Sequence, residues 1–207
     1  ISSILAGHNL ERMLKKLYGD IHIEELWTPF FCVSCNLSDP GVVVHDSGLL
    51  RHWIRASCSL PGVYPPVIDN KQLYVDGGIT NNLPVDLLKE RTSATVIAID
   101  VSYNDHMSND FAFDATPAGM SAFYHRYILG NKGFPSTLDT LFHSFMLSSK
   151  QNSQMNRKLA DYLFHPPTTN FNILDTQSYK ELIELGYKSA LKQIQYWQNE
   201  RGWISPN

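Results

Sequence analysis

The chain has 207 residues, 43% of them apolar, which is enough for one domain with a real core. Its 17 Lys and Arg against 20 Asp and Glu leave a net charge of −3 and no basic stripe, which argues against a nucleic-acid partner. No apolar run approaches the roughly 20 residues needed to span a bilayer, so the chain is expected in the cytoplasm or peripherally at a membrane face.

Ser2–Gly7 is a short lead-in. Behind Asn9, a good N-cap, Leu10, Met13, Leu14 and Leu17 recur at helical spacing, and Gly19 can close the helix. Arg12, Lys15 and Lys16 then fall on its solvated face. Phe30–Leu37 reads as a buried strand. Cys32 and Cys35 lie three apart in it, an offset that points them to opposite faces. No second ligand pair follows at zinc spacing, so no metal is expected, and with Cys58 the odd count fits reduced or core thiols. Asp39-Pro40-Gly41 is a turn, and Val42–His45 is a second strand that forms a hairpin with the first. Leu49, Leu50, Trp53, Ile54 and Ser57 give a helical face stopped by Leu60-Pro61-Gly62, and Pro65-Pro66 imposes extended backbone ahead of the next strand.

Leu73-Tyr74-Val75-Asp76 is a short apolar strand that delivers a carboxylate to its end, the usual place for working side chains in α/β sheets. Gly77 and Gly78 remove the Cβ atoms that would hold neighbours away from that carboxylate. Asn81 and Asn82 follow, then Pro84 in the first turn of a helix whose N-terminal dipole suits Asp86. The alternative reading of the same residues is a plain strand-to-helix turn, with Asp76 and the asparagines bonding local backbone.

Ala94–Val101 has the continuous β-branched pattern of a central parallel strand covered on both faces, and Asp100 at its end is expected to cap a loop or helix. Ser102–Pro117 reads as a polar surface loop and Ala118–Leu129 as an aromatic-bearing helix. Gly119-Met120-Ser121 begins like a G-x-S-x-G pattern but lacks its second glycine, so Ser121 is an ordinary helix serine. Ser136 with Asp139 opens a helix with Leu138, Leu141, Phe142, Phe145 and Met146 on one stripe. Ser178 with Glu181 is a full capping box ahead of a helix stepping through Tyr179, Leu182, Ile183, Gly186, Tyr187, Ala190, Leu191 and Ile194.

Asp76-Gly77-Gly78 with Asn81-Asn82-Leu83-Pro84 resembles the catalytic-Asp signature of the patatin-like phospholipases, in the branch of neuropathy target esterase and its bacterial relatives. Arg55-Ala56-Ser57-Cys58-Ser59-Leu60-Pro61-Gly62 through Pro66 resembles the segment that precedes that signature in the family. Thr95–Val101 resembles the strand that comes after it. A weaker similarity continues through Pro166-Pro167 and Tyr179–Tyr187.

The resemblance implies a patatin-like α/β fold, a mostly parallel sheet flanked by helices. It also implies hydrolysis of phospholipid or lysophospholipid esters by a Ser–Asp dyad without histidine or cofactor. In that dyad Asp76 is the catalytic base, supported by Gly77, Gly78, Asn81, Asn82 and Pro84. The nucleophile is absent, since no G-x-S-x-G occurs in residues 1–207, and neither does the family's glycine-rich oxyanion loop. Residues 1–207 are accordingly expected to be the C-terminal portion of one such domain, inactive alone, with the N-terminal strands and nucleophile elbow supplied by a missing N-terminal half. A non-catalytic lipid- or protein-binding remnant of the fold is the alternative. A Ser…Asp…His order through His106, His125, His143 or His165 fits formally, but none of these sits in a glycine-rich loop after a strand.

Overall fold

The computed structural model describes residues 7–102, 137–168, 171 and 177–201. Expectations for the loop at 103–117, the helix at 118–129, Ser121, His106, His125 and the Ser136 cap lie outside these residues. So do the side chains of Leu138, Phe142, His143 and Phe145. The chain divides into two compact units, Ile1–Val96 with Phe145–Asp161, and Ile97–Ser144 with Tyr162–Asn207. Together their elements make an α/β architecture with one antiparallel and one parallel sheet.

In the first unit, α1 (Gly7–Tyr18) is followed by β1 (Cys32–Asn36), β2 (Gly41–His45) and α2 (Leu50–Ser57). Then come β3 (Val67–Asp69), β4 (Gln72–Asp76) and α3 (Val85–Lys89). Asn9 sits inside α1, which already runs from Gly7, so Asn9 is not its cap. Gly19 does end it, at φ +59° with its N–H on the Lys15 carbonyl at 2.9 Å. Of the predicted apolar face only Leu14 is buried, while Met13 and Leu17 are exposed.

The four strands are ordered β2-β1-β4-β3 and every neighbour pair is antiparallel. This corrects the mostly parallel sheet expected for the chain. For two of the three pairs the reason is the length of the connection: a few residues around Asp39-Pro40 join β1 to β2, and Asn70-Lys71 alone join β3 to β4. Links that short return a strand only in the opposite direction. The hairpin of β1 with β2 is as predicted, whereas β3 was not legible behind Pro65-Pro66.

Register places Cys32, Ser34, Asn36, His45, Tyr74 and Asp76 on one sheet face. Val33, Cys35 and Val75 lie on the other, so the two cysteines do point apart. Helix α2 covers the first face. Trp53 stacks on His45 with ring centroids 3.8 Å apart and meets Tyr74 edge-on at 5.6 Å. His45 Nε2 and Ser34 Oγ share a buried hydrogen bond of 2.7 Å. Burial lowers the His45 pKa to about 4, so the ring is neutral in the native protein near pH 7.

Helix α4 (Thr137–Arg157) contributes its C-terminal half to this unit. The stripe predicted for it includes Leu141, which is exposed, and among its described side chains the buried ones are Ser149, Ser153 and Asn156. The inward side of this half is polar.

In the second unit, β5 (Ile97–Ile99) pairs in parallel with β6 (Tyr162–Phe164), as expected for the 94–101 run. Only Ala98 is buried in β5, with Ile97 and Ile99 exposed, so the strand is not covered on both faces. Asp100 caps the following loop, accepting the Ser102 N–H at 2.8 Å. Helix α5 (Tyr179–Arg201) starts where Ser178 predicts, but its inward line runs through Leu182, Gly186, Ala190 and Ile194 to the buried Trp197. Ile183, Tyr187 and Leu191 stand outside that line, exposed.

Candidate active site

Val75 is buried and carries β4 to its last residue, Asp76, whose N–H donates to the Ser59 carbonyl at 3.0 Å. Ser59 in turn is held by Arg55, a buried cation that donates to Ser59 Oγ and, at 2.8 Å, to the Pro65 carbonyl. Ser59 Oγ closes the loop by donating to the Arg55 carbonyl at 2.7 Å. The segment before the carboxylate strand is thus organised by one side chain, and it fixes where the end of β4 lies.

After Asp76 the chain makes a single 3₁₀ turn, Gly77–Ile79. A Cβ on Gly77 would stand 2.5 Å from the Val33 carbonyl oxygen, inside the closest real contact. On Gly78 it would lie 2.9 Å from Asn82 Oδ1 and 3.0 Å from Asp76 Oδ1. Neither glycine is there for a left-handed backbone, since neither has a positive φ. Gly77 is required by its close approach to the backbone of the neighbouring strand, whereas a Cβ on Gly78 would meet the side-chain oxygens of Asn82 and Asp76.

Gly78 N–H donates to Asp76 Oδ1 at 2.7 Å. Among the described residues no donor reaches Oδ2. Burial pushes the Asp76 carboxyl above its ordinary range, and the Gly78 hydrogen bond works against that rise without cancelling it. Cys58 lies at the surface near this carboxylate. Partial burial raises its thiol pKa and the Asp76 charge adds to the effect. Cys32 is pushed up to about 12 by burial, so neither sulfur is a thiolate near neutral pH.

The two asparagines separate. Asn82 is exposed beside Gly78, whereas Asn81 is buried. Asn81 Nδ2 donates to both oxygens of Asp86, at 3.0 and 3.3 Å, and its backbone N–H reaches the Gly77 carbonyl at 2.9 Å. Pro84 stands as the N-cap of α3, one residue earlier than its predicted place inside the first turn. Asn156 completes the cluster from α4. Its Nδ2 lies 3.0 Å from Asn81 Oδ1, 2.9 Å from the Leu83 carbonyl and 3.1 Å from Asp86 Oδ1.

A pattern described as patatin-like phospholipase matches residues 1–89, which include the Arg55 segment, Asp76, both glycines, Asn81, Asn82 and Pro84. Over residues 1–89 the chain is similar to the patatin-like phospholipase family. Relatives named lysophospholipase NTE1 align along nearly the whole chain. The protein of Mycosarcoma maydis is 30% identical over 97% of the chain and that of Meyerozyma guilliermondii 28% over 96%. That of Candida albicans is 27% identical over 97%. The chain spans only 11%, 14% and 15% of those three proteins, in that order.

The patatin-like reading of the sequence named Asp76, Gly77, Gly78, Asn81, Asn82, Leu83 and Pro84 in this turn. It did not name Asn156, whose signal is faint: a polar residue one turn past Ser149, Asn152 and Ser153 on a helix otherwise sorted by its apolar positions. Nor did it name His45, which lies upstream of Asp76. His165, weighed as a triad member, is engaged in the second unit with the Asp100 carbonyl at 2.7 Å.

Proposed function

We infer that Asp76 is the general base of a patatin-like hydrolase that cleaves the acyl ester of a phospholipid or lysophospholipid. The observation that carries this reading is the half-buried Asp76 carboxyl, raised in pKa by that burial, with one oxygen held by Gly78 and the other met by no donor among the described residues. Burial that raises a carboxylate's pKa makes it a stronger base toward a hydroxyl proton.

The reaction runs as acyl transfer. Asp76 accepts the proton of a serine hydroxyl as its oxygen attacks the ester carbonyl, and the tetrahedral intermediate collapses to an acyl-serine. Asp76 then returns the proton to the departing lyso-lipid or glycerol-headgroup oxygen. In the second half the same carboxylate takes a proton from water as it attacks the acyl-serine, the fatty acid is released, and Asp76 returns that proton to the departing serine oxygen. The serine and the donors for the developing oxyanion are assigned to polypeptide outside residues 1–207, because no G-x-S-x-G occurs within them. No described helix is long and apolar enough to cross a membrane, so lipid is taken to be met peripherally by the described elements.

The reading is tested by fluorophosphonate labelling. The 207-residue chain alone is expected to remain unlabelled, while a longer polypeptide carrying it is labelled at a serine outside these residues. Labelling of any serine in the isolated chain overturns the assignment.

A further inference from the structure

We propose that Asn156 and Asn152, on α4, are positioning residues for Asp76, acting through the turn that comes after it. The proposal rests on the reading of Asp76 as the base. Asn152 and Asn156 are one helical turn apart and so share a face. Asn152 Nδ2 donates to the Thr80 carbonyl at 2.8 Å, and Asn156 Nδ2 serves Asn81 Oδ1, the Leu83 carbonyl and Asp86 Oδ1. The two amides therefore grip the backbone and side chains of residues 80–86, which join the carboxylate turn to α3.

The grip reaches Asp76 in two steps. Asn81, fixed by Asn156 and Asp86, donates its backbone N–H to the Gly77 carbonyl, and the Thr80 N–H bonds the same oxygen at 3.1 Å. Gly77 is jammed against Val33, so the turn cannot relax toward that strand. Its remaining freedom is to lift away on the α4 side, which carries Gly78 off Asp76 Oδ1 and admits water to the carboxylate. The two asparagines oppose that movement. Asn156 is itself buried, and its loss takes from the buried Asn81 Oδ1 the donor it has there, while the Leu83 carbonyl and Asp86 Oδ1 keep Val85 N–H and Asn81 Nδ2.

The test is the titration of the Asp76 side chain followed by carbon-13 NMR in the 207-residue chain, in wild type, Asn156→Ala and Asn152→Ala. Asn36→Ala is the control. Asn36 is another buried amide with comparable bonds, to Gln72 and the Ser38 N–H, which anchors the β1–β2 turn and not the one after Asp76. In Asn156→Ala water entry lowers the Asp76 midpoint while loss of the Gly78 hydrogen bond, the lesser influence on this carboxyl, raises it, so a net fall is expected. Asn152→Ala, which loses one bond, is expected to produce a smaller fall and keeps the test alive if Asn156→Ala does not fold. Asn36→Ala is expected to lower the melting temperature without moving the midpoint.

An unchanged midpoint in the α4 variants overturns the proposal, and so does an equal shift in the control, which signifies general loosening. A wild-type midpoint in the ordinary carboxylate range is a different failure. It removes the base reading itself, and the positioning role with it.

Discussion

Gly77 and Val33 approach so closely that a methyl group on Gly77 would press on the Val33 carbonyl carbon, 2.7 Å away, as well as on its oxygen. Val33 belongs to the central strand β1, paired on both sides, and has no room to withdraw. Gly77→Ala is therefore expected to cost about 3 kcal/mol, the upper end of overpacking penalties, because the opposing atoms are backbone. Urea denaturation midpoints of the two proteins check this.

Asp76 should oppose stability where it is charged. Its folded pKa lies above the unfolded value, so the native state holds the proton more tightly. Its contribution is favourable at low pH and is lost as pH rises through the unfolded value toward the folded one. Asp76→Asn keeps an oxygen for the Gly78 N–H and removes the buried charge. It is expected to melt higher than wild type at pH 7, with the difference closing below about pH 3.9. Melting curves at pH 3 and pH 7 test the crossover, and a lower melting temperature at pH 7 counts against a desolvated carboxylate.

His45 gives the opposite slope. With its native pKa near 4 and an ordinary unfolded value of 6.5, the unfolded chain takes up the proton first. Stability held above pH 6.5 is expected to drain away as pH falls toward about 4, by up to about 3 kcal/mol. His45→Gln retains a partner for Ser34 without the imidazole and should flatten this limb. Urea midpoints between pH 6.5 and 4 measure it.

The turn between β3 and β4 offers a gain. Asn70 and Lys71 both adopt positive φ, +46° and +65°, the pattern of a two-residue type I′ hairpin. Asparagine suits the first position, but lysine at the second carries a Cβ in a conformation that favours glycine. Lys71→Gly is expected to stabilise the hairpin by roughly 0.5–1 kcal/mol, read as a higher melting temperature.

What was legible in the sequence was local. Asp76 through Pro84 is a contiguous strand, turn and helix start, and every residue needed to recognise it lies within about ten positions. The β1–β2 hairpin and the start of α5 were readable for the same reason, each marked by its own turn or cap. Pairing across distance was not. The three residues of β3 become a strand only because β4 lies two residues on, and the β1–β4 pair joins segments about forty residues apart. Asn156 is 75 residues from the side chain it holds, so its role has no local signal. Met13, Leu17, Ile97 and Ile99 are apolar and exposed, so their periodicity reports an apolar face without saying what lies against it.

The most direct measurement of the central claim is lysophospholipid hydrolysis by a longer protein that carries this chain, compared with its Asp76→Asn variant. Loss of the base is expected to lower kcat by at least about a thousandfold, with the melting temperature at pH 7 not reduced. Turnover by the variant within tenfold of the parent would contradict the account and return Asp76 to the role of a turn residue.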